Sequence, residues 1–168
     1  LHVRSRRQRQ MCIRDSPPTT PILYRQALAA VGISAEIQTS DFAAFTKRIY
    51  TDRDWDLAID RYGSTFDPTV GTQRFYHSRS FKVGVPFTNP ARYENPEADA
   101  LWDAAAIEVN PQKRREIFSK LQAVLLRDIP ILPQVVATRN ITSRTSVQGN
   151  APFATGSFDS FAQAWLAA

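Results

Sequence analysis

An apolar triplet, Leu57-Ala58-Ile59, runs into a polar loop and then into Asp67-Pro68. No other feature of this sequence restricts its fold as much. Three consecutive apolar residues read as a short strand covered on both faces, the kind found in parallel α/β sheets. Asp67 at an N-cap with Pro68 at the first helical position predicts a helix that starts there. Between strand and helix, Arg61, Tyr62, Gly63, Ser64, Thr65 and Phe66 offer one cation, three hydroxyls and two aromatic rings. In open α/β sheets, ligands bind beyond the carboxyl ends of strands, where loops and helix N-termini supply donors. Arg61, Tyr62, Ser64, Thr65 and Phe66 are therefore the candidate ligand-binding residues, and Asp67 is a structural helix cap. Two readings of Arg61 stay open: a partner for a ligand carboxylate, or an internal ion pair with a neighbouring aspartate.

The flanking pattern alternates helix and strand. Thr20-Pro21 opens a helix with Leu23, Ala27, Ala30 and Val31 on one face, and Gly32 stands where a left-handed C-terminal residue is wanted. Ile33, Ala35 and Ile37 alternate with polar residues as in a half-buried strand. Thr39 and Ser40 can cap a helix from about Asp41, with Phe42, Phe45 and Ile49 as its apolar stripe. Helix, strand, helix, strand implies a right-handed crossover and a parallel strand pair. Residues 78–94 read as a long apolar loop, either packed against something or functional.

Asn95-Pro96 and Asn110-Pro111 each start a helix. The first runs through Leu101, Trp102, Ala105 and Ile107. The second carries Ile117, Phe118, Leu121, Val124 and Leu125 on one face. Lys113, Arg114, Arg115, Glu116 and Lys120 fall on the other, which reads as solvated. Residues 129–136, broken by Pro130 and Pro133, suit an edge strand or an extended crossing segment. Residues 157–166 could form a closing amphipathic helix with Phe158, Phe161, Trp165 and Leu166.

The net charge of +5 on 168 residues is misleading. Residues 1–16 hold five arginines and one aspartate; setting them aside leaves 16 basic against 15 acidic residues in the body. The leader has no apolar h-region and does not read as a signal peptide. No aromatic is interleaved with its arginines, so it reads as a disordered or foreign leader rather than a nucleic-acid arm. The expected division is thus a leader at 1–16 and a folded body at 17–168, with no nucleic-acid partner. Cys12 lies in the leader, so the body can form no disulfide.

Little in the body points to chemistry. It has one histidine, His77, and no cysteine, which leaves no zinc-type spacing. The alternating Asp52, Asp54, Asp56 and Asp60 lack the glycine turn and closing glutamate of a calcium loop. No phosphate-binding glycine loop and no nucleophile elbow is present. No metal and no cofactor is expected. A rival reading is a small α/β enzyme using Asp60, Asp67 and His77 as acid–base groups. Against it, Asp67 is explained as a cap and His77 by a nearby helix end. A loop of hydroxyls and backbone donors beside aromatics suits recognition of a small polar ligand better.

Three stretches together resemble the C-terminal lobe of the extracytoplasmic solute-binding proteins of ABC importers, in the dipeptide/oligopeptide/nickel-binding family. They are GISAEIQTSDFAAFTKRIYTDRDWDLAI, FDPTVGTQRFY and YENPEADALWDAAAIEVNPQKRREIFSKLQAVLLRDIPILPQVV. Their order and spacing hold over residues 21–136 and, loosely, to 168. The resemblance implies an α/β lobe of a two-lobed periplasmic-binding-protein-like fold, with a parallel or mixed sheet flanked by helices. It implies a monomeric, non-enzymatic protein outside the cytoplasmic membrane that encloses peptides or related solutes by hinge closure and delivers them to a permease. The first lobe and the export signal would then be missing, and residues 129–142 would cross back toward that lobe.

In peptide-binding relatives the equivalent loop carries an aromatic and then an aspartate that holds the peptide's α-ammonium. Aligned on Asp67-Pro68, Arg61 takes the aromatic's place and Ser64 the aspartate's. Serine offers an amine no charge, and Arg61 repels one. The resemblance therefore implies a modified peptide, or an anionic or sugar-like solute.

Overall fold

The computed structural model describes residues 9–14, 19–63, 67–134, 136, 142–149 and 164–167. The chain forms two compact units: Leu1–Tyr62 with Arg74–Asn95, and Gly63–Gln73 with Pro96–Ala168. Among the described residues, no helix is long and apolar enough to cross a membrane.

The first unit is built on a three-stranded parallel sheet. Its strands are β1 (Arg9–Arg14), β2 (Ala35–Ser40) and β3 (Leu57–Ile59), in the order β2-β1-β3. Met11 faces Ile37 of β2 on one side and Leu57 of β3 on the other. Two expectations are corrected here. Arg9–Arg14 lies within the stretch expected to stand outside the fold, yet it is the middle strand. In turn, β2 and β3 do not pair with each other, because β1 runs between them. The physical reason lies in the run Met11-Cys12-Ile13: adjacent strand residues point to opposite faces, and Met11 and Cys12 are both 1% exposed. The strand covered on both faces is thus β1. Leu57 of β3 is 39% exposed.

α1 (Thr19–Ala30) ends as the sequence requires. Gly32 takes φ 79°, and the Ile33 N–H reaches back to the Leu28 carbonyl at 2.9 Å. Its inner face is Pro21, Tyr24 and Leu28, whereas the expected stripe residues Leu23 and Val31 are 59% and 72% exposed. α2 (Phe42–Thr46) is capped by Asp41 itself, whose carboxylate accepts the Ala44 N–H at 2.9 Å. It continues as a π-helical turn, Lys47–Asp52, that closes on Arg53 in the left-handed region. Phe45, Ile49 and Tyr50 pack on Cys12 as a core, with Trp55 and Ala58 beside them.

Residues 78–94 are pinned by polar hooks. Asn89 is fully buried; its Nδ2 donates to the His77 carbonyl (3.2 Å) and to the Tyr93 carbonyl (2.7 Å), and its Oδ1 accepts the Tyr93 N–H (2.8 Å). Phe87 stacks on Phe42 with ring centroids 6.1 Å apart. The loop is therefore a packed part of this unit.

The second unit contains a helix pair, α3 (Pro96–Ile107) and α4 (Pro111–Asp128). The Asn110 side chain accepts the Gln112 and Lys113 N–H groups at 3.0 and 3.1 Å, capping α4 ahead of Pro111. Ala98, Trp102 and Ala105 form the buried stripe of α3, and Trp102 meets Phe118 edge-on at 6.3 Å. Ile107, expected on that stripe, is 82% exposed. Residues 129–134 form no regular strand. The expected closing helix is corrected where it is described: Trp165–Leu166 is a strand, β5, antiparallel to β4 (Val147–Gln148). Residues 157–163 of that expected helix lie outside the described residues.

Candidate functional site

The loop after β3 begins at Asp60, whose Oδ1 accepts the Arg61 N–H at 2.7 Å. This bond turns the chain out of the strand. Arg61 is exposed, and its guanidinium pairs with no carboxylate among the described residues. Of its two open readings, the internal ion pair is not made among the described residues.

Tyr62 points inward instead. Its ring lies 4.3 Å from that of Phe75, and its hydroxyl is 3.4 Å from the Tyr50 hydroxyl. Burial, then the neighbouring Tyr50, pushes the Tyr62 phenol well above its ordinary value. Tyr62 therefore moors the near end of the loop to the first unit. Ser64, Thr65 and Phe66 lie outside the described residues.

Asp67 moors the far end, within the second unit. Its Oδ1 accepts the Thr69 N–H and the Thr69 hydroxyl, both at 2.8 Å. The same oxygen accepts from Arg114 Nη2 at 2.8 Å. Arg114 is thus no member of a solvated face, which corrects the sequence reading. Its Nε also donates to the Ala105 carbonyl at 2.8 Å, and its guanidinium lies over the Phe118 ring at 5.2 Å. One side chain so joins the start of α4, the last turn of α3 and the end of the loop. Hydrogen bonding from Arg114, then from Thr69, holds the Asp67 carboxyl far below its ordinary value.

The chain after Asp67 turns helically without becoming an α-helix. Val70 and Gly71 both donate to the Asp67 carbonyl at 3.1 Å, and Thr72 and Gln73 both donate to that of Pro68. Three-, four- and five-residue spacings alternate, and a 3₁₀ turn follows at Gln73–Phe75. The expected regular helix is therefore a tight coil of turns.

His77 is 4% exposed. Its Nδ1 accepts the Arg79 N–H at 3.2 Å, capping the 3₁₀ turn Ser78–Ser80. Among the described residues, no cluster of three or more His, Cys, Asp or Glu side chains is placed to hold a metal. Sequence reasoning missed Arg114, Tyr50 and Phe75 as supports of the loop. Only an exposed-face charge pattern marked Arg114, and its partner Asp67 is 47 residues away.

Solved structures that share this fold include peptide and dipeptide binding proteins. A dipeptide binding protein from Pseudoalteromonas sp. SM9913, in complex with Met-Leu, matches with a TM-score of 0.79 at 19% identity, over 95% of this chain and 32% of that one. The ABC transporter-associated periplasmic binding protein DppA from Helicobacter pylori, in complex with the peptide STSA, matches at 0.74 and 17% identity, over 95% and 31%. NikZ from Campylobacter jejuni, in complex with Ni(L-His), matches at 0.60 and 14%, over 73% and 25%. No protein-family model and no curated protein matches the chain in sequence. The chain spans about a third of the length of the first two structures. The fold is the α/β fold that forms part of such two-lobed periplasmic binding proteins.

Proposed function

We propose that this chain is the C-terminal lobe of a solute-binding protein that captures peptides or related small solutes outside the cytoplasmic membrane and hands them to an ABC permease. The observation that carries this reading is the fold match to a dipeptide binding protein over 95% of the chain. The loop after β3 supports it: the chain is moored at Tyr62 and Asp67, and Arg61 stands exposed and unpaired among the described residues. Arg61, Ser64, Thr65 and Phe66 are the ligand-contacting set in this proposal, with Tyr62 holding their loop from within the first unit, and a first lobe preceding the chain completes the set. Such a protein works as a monomer and turns nothing over. Asp60, Asp67 and His77, the groups of the enzymatic alternative, are each engaged in local structure, which favours binding over turnover.

An exposed arginine with serine in place of a carboxylate favours solutes that carry negative charge or lack a free amine. Titration of the whole protein, followed by tryptophan fluorescence, tests this with a dipeptide, its N-acetylated form and an acidic peptide. Tightest binding is expected for the N-acetylated or acidic ligand, with at least a tenfold loss in Arg61→Ala. Tight binding that needs the free amine would overturn the ligand class. Absence of saturable binding by all three would overturn the peptide-binding role.

A further inference from the structure

A second group of positive charge lies in the first unit, on residues outside the loop after β3. Arg53 ends the π-helical turn in the left-handed region (φ 54°), and Arg92 adopts the same conformation (φ 51°). Residues other than glycine pay for that conformation, and such strain collects at functional positions. Both guanidinium groups lie over one ring, Phe81, at 4.1 Å for Arg53 and 5.4 Å for Arg92. Nη1 of Arg53 donates to the Pro90 carbonyl at 3.1 Å and so fixes the plane of the group. Its Nε and Nη2 are buried and have no hydrogen-bond acceptor.

Those two nitrogens form one edge of the guanidinium, the edge whose parallel N–H groups clasp a carboxylate or phosphate two-pronged. Stacking on Phe81 satisfies the face of the group and leaves that edge unserved. Among the described residues, neither arginine pairs with a carboxylate. Burial, then the nearby charge of Arg92, lowers the Arg53 pKa. Two like charges on one ring, one of them with a buried and unpaired edge, are unfavourable unless an anion joins them.

We propose that the Nε–Nη2 edge of Arg53, with Arg92 beside it, forms a binding site for a small oxyanion, inorganic phosphate or a carboxylate. The edge is covered, so the anion enters as a side chain moves aside. Arg92, exposed and lying over the same ring, is free to do so. Phe81 is the platform, and the Pro90 carbonyl keeps the Arg53 fork aimed. This site does not depend on the identity of the transported solute.

Isothermal titration in a buffer free of oxyanions tests the proposal, with inorganic phosphate in one arm and acetate in the other. Saturable one-to-one binding of at least one anion is expected. Arg92→Gln should weaken it at least tenfold. Arg53→Lys, which keeps the charge and removes the fork, should do the same while circular dichroism stays that of the wild type. Arg115→Gln, on the exposed side of α4, serves as a charge control and should bind as the wild type does. Binding of phosphate alone selects a tetrahedral oxyanion, and binding of acetate alone a carboxylate. No saturable binding in either arm, or equal binding by wild type, Arg92→Gln and Arg53→Lys, would overturn the site. Should Arg53→Lys fail to fold, the exposed Arg92→Gln decides the matter alone.

Discussion

The sheet unit and the helix-pair unit hold their shape by different means. In the helix pair, order is mostly local: Asn110 caps α4 from within three residues, and α3 buries Ala98, Trp102 and Ala105 at helical spacing. In the sheet unit, order comes from segments far apart in the chain. β1 pairs with β2 and β3, the Gly84 N–H reaches the Tyr50 carbonyl, and Asn89 ties residues 74, 77 and 93 together. A helix pair can thus be read residue by residue, whereas a small parallel sheet depends on which segments meet.

That contrast can be broken most directly by emptying each core in turn. Phe45→Ala removes the ring packed on Cys12, and Trp102→Ala removes the ring packed on Phe118. Each should cost about 3–5 kcal/mol. Hydrogen exchange is the discriminating measurement. Phe45→Ala should expose the amides of β1, β2 and β3, and Trp102→Ala those of α3 and α4. Equal loss of protection everywhere in both variants would show the two units to be one cooperative body.

A smaller effect sharpens the account of the sheet unit. Asn89→Ala removes three side-chain hydrogen bonds at a fully buried position. A loss of roughly 2–3 kcal/mol is expected. Limited proteolysis should find new cuts within residues 78–94. An unchanged digestion pattern would mean that the aromatic contacts of Phe87 hold that loop unaided.

The smallest effect concerns the helix-pair unit and depends on pH. The Asp67 carboxyl is held below its ordinary value of 3.8 by Arg114 and Thr69. A carboxyl whose pKa falls on folding adds stability that is complete above the unfolded value and fades as pH drops toward the folded one. Asp67→Asn keeps a capping side chain and loses the charge. Its thermal midpoint should sit a few degrees below that of the wild type at neutral pH, and the gap should close on acidification below about pH 4. A gap that widens in acid would reverse the sign of this contribution.

Much of the fold was legible from residues. The cap at Asn110 and the stop at Gly32 act within a few residues along the chain, whereas the cap of α2 is Asp41 and not the Thr39-Ser40 pair expected from the sequence. The candidate loop was legible in part. Asp67 was readable as an acceptor for the backbone just after it, because its bond to the Thr69 N–H is local, but the regular helix expected there does not form. The clasp of Asp67 by Arg114 was not readable, because nothing near Arg114 distinguishes it from the exposed Lys113 and Arg115. β1 is hidden in the sequence because arginines and glutamines surround its short apolar run, Met11-Cys12-Ile13.

Sequence alone determined the stop of α1 and the starts of α3 and α4, since caps, prolines and glycines act through bonds only a few residues long. Tertiary structure alone decided which strand lies in the middle, which carboxylate Arg114 holds, and that Arg53 and Arg92 share one ring. Those pairings join residues tens of positions apart. Their free energy exists only once the segments have met, and no local pattern of side chains records which segments will.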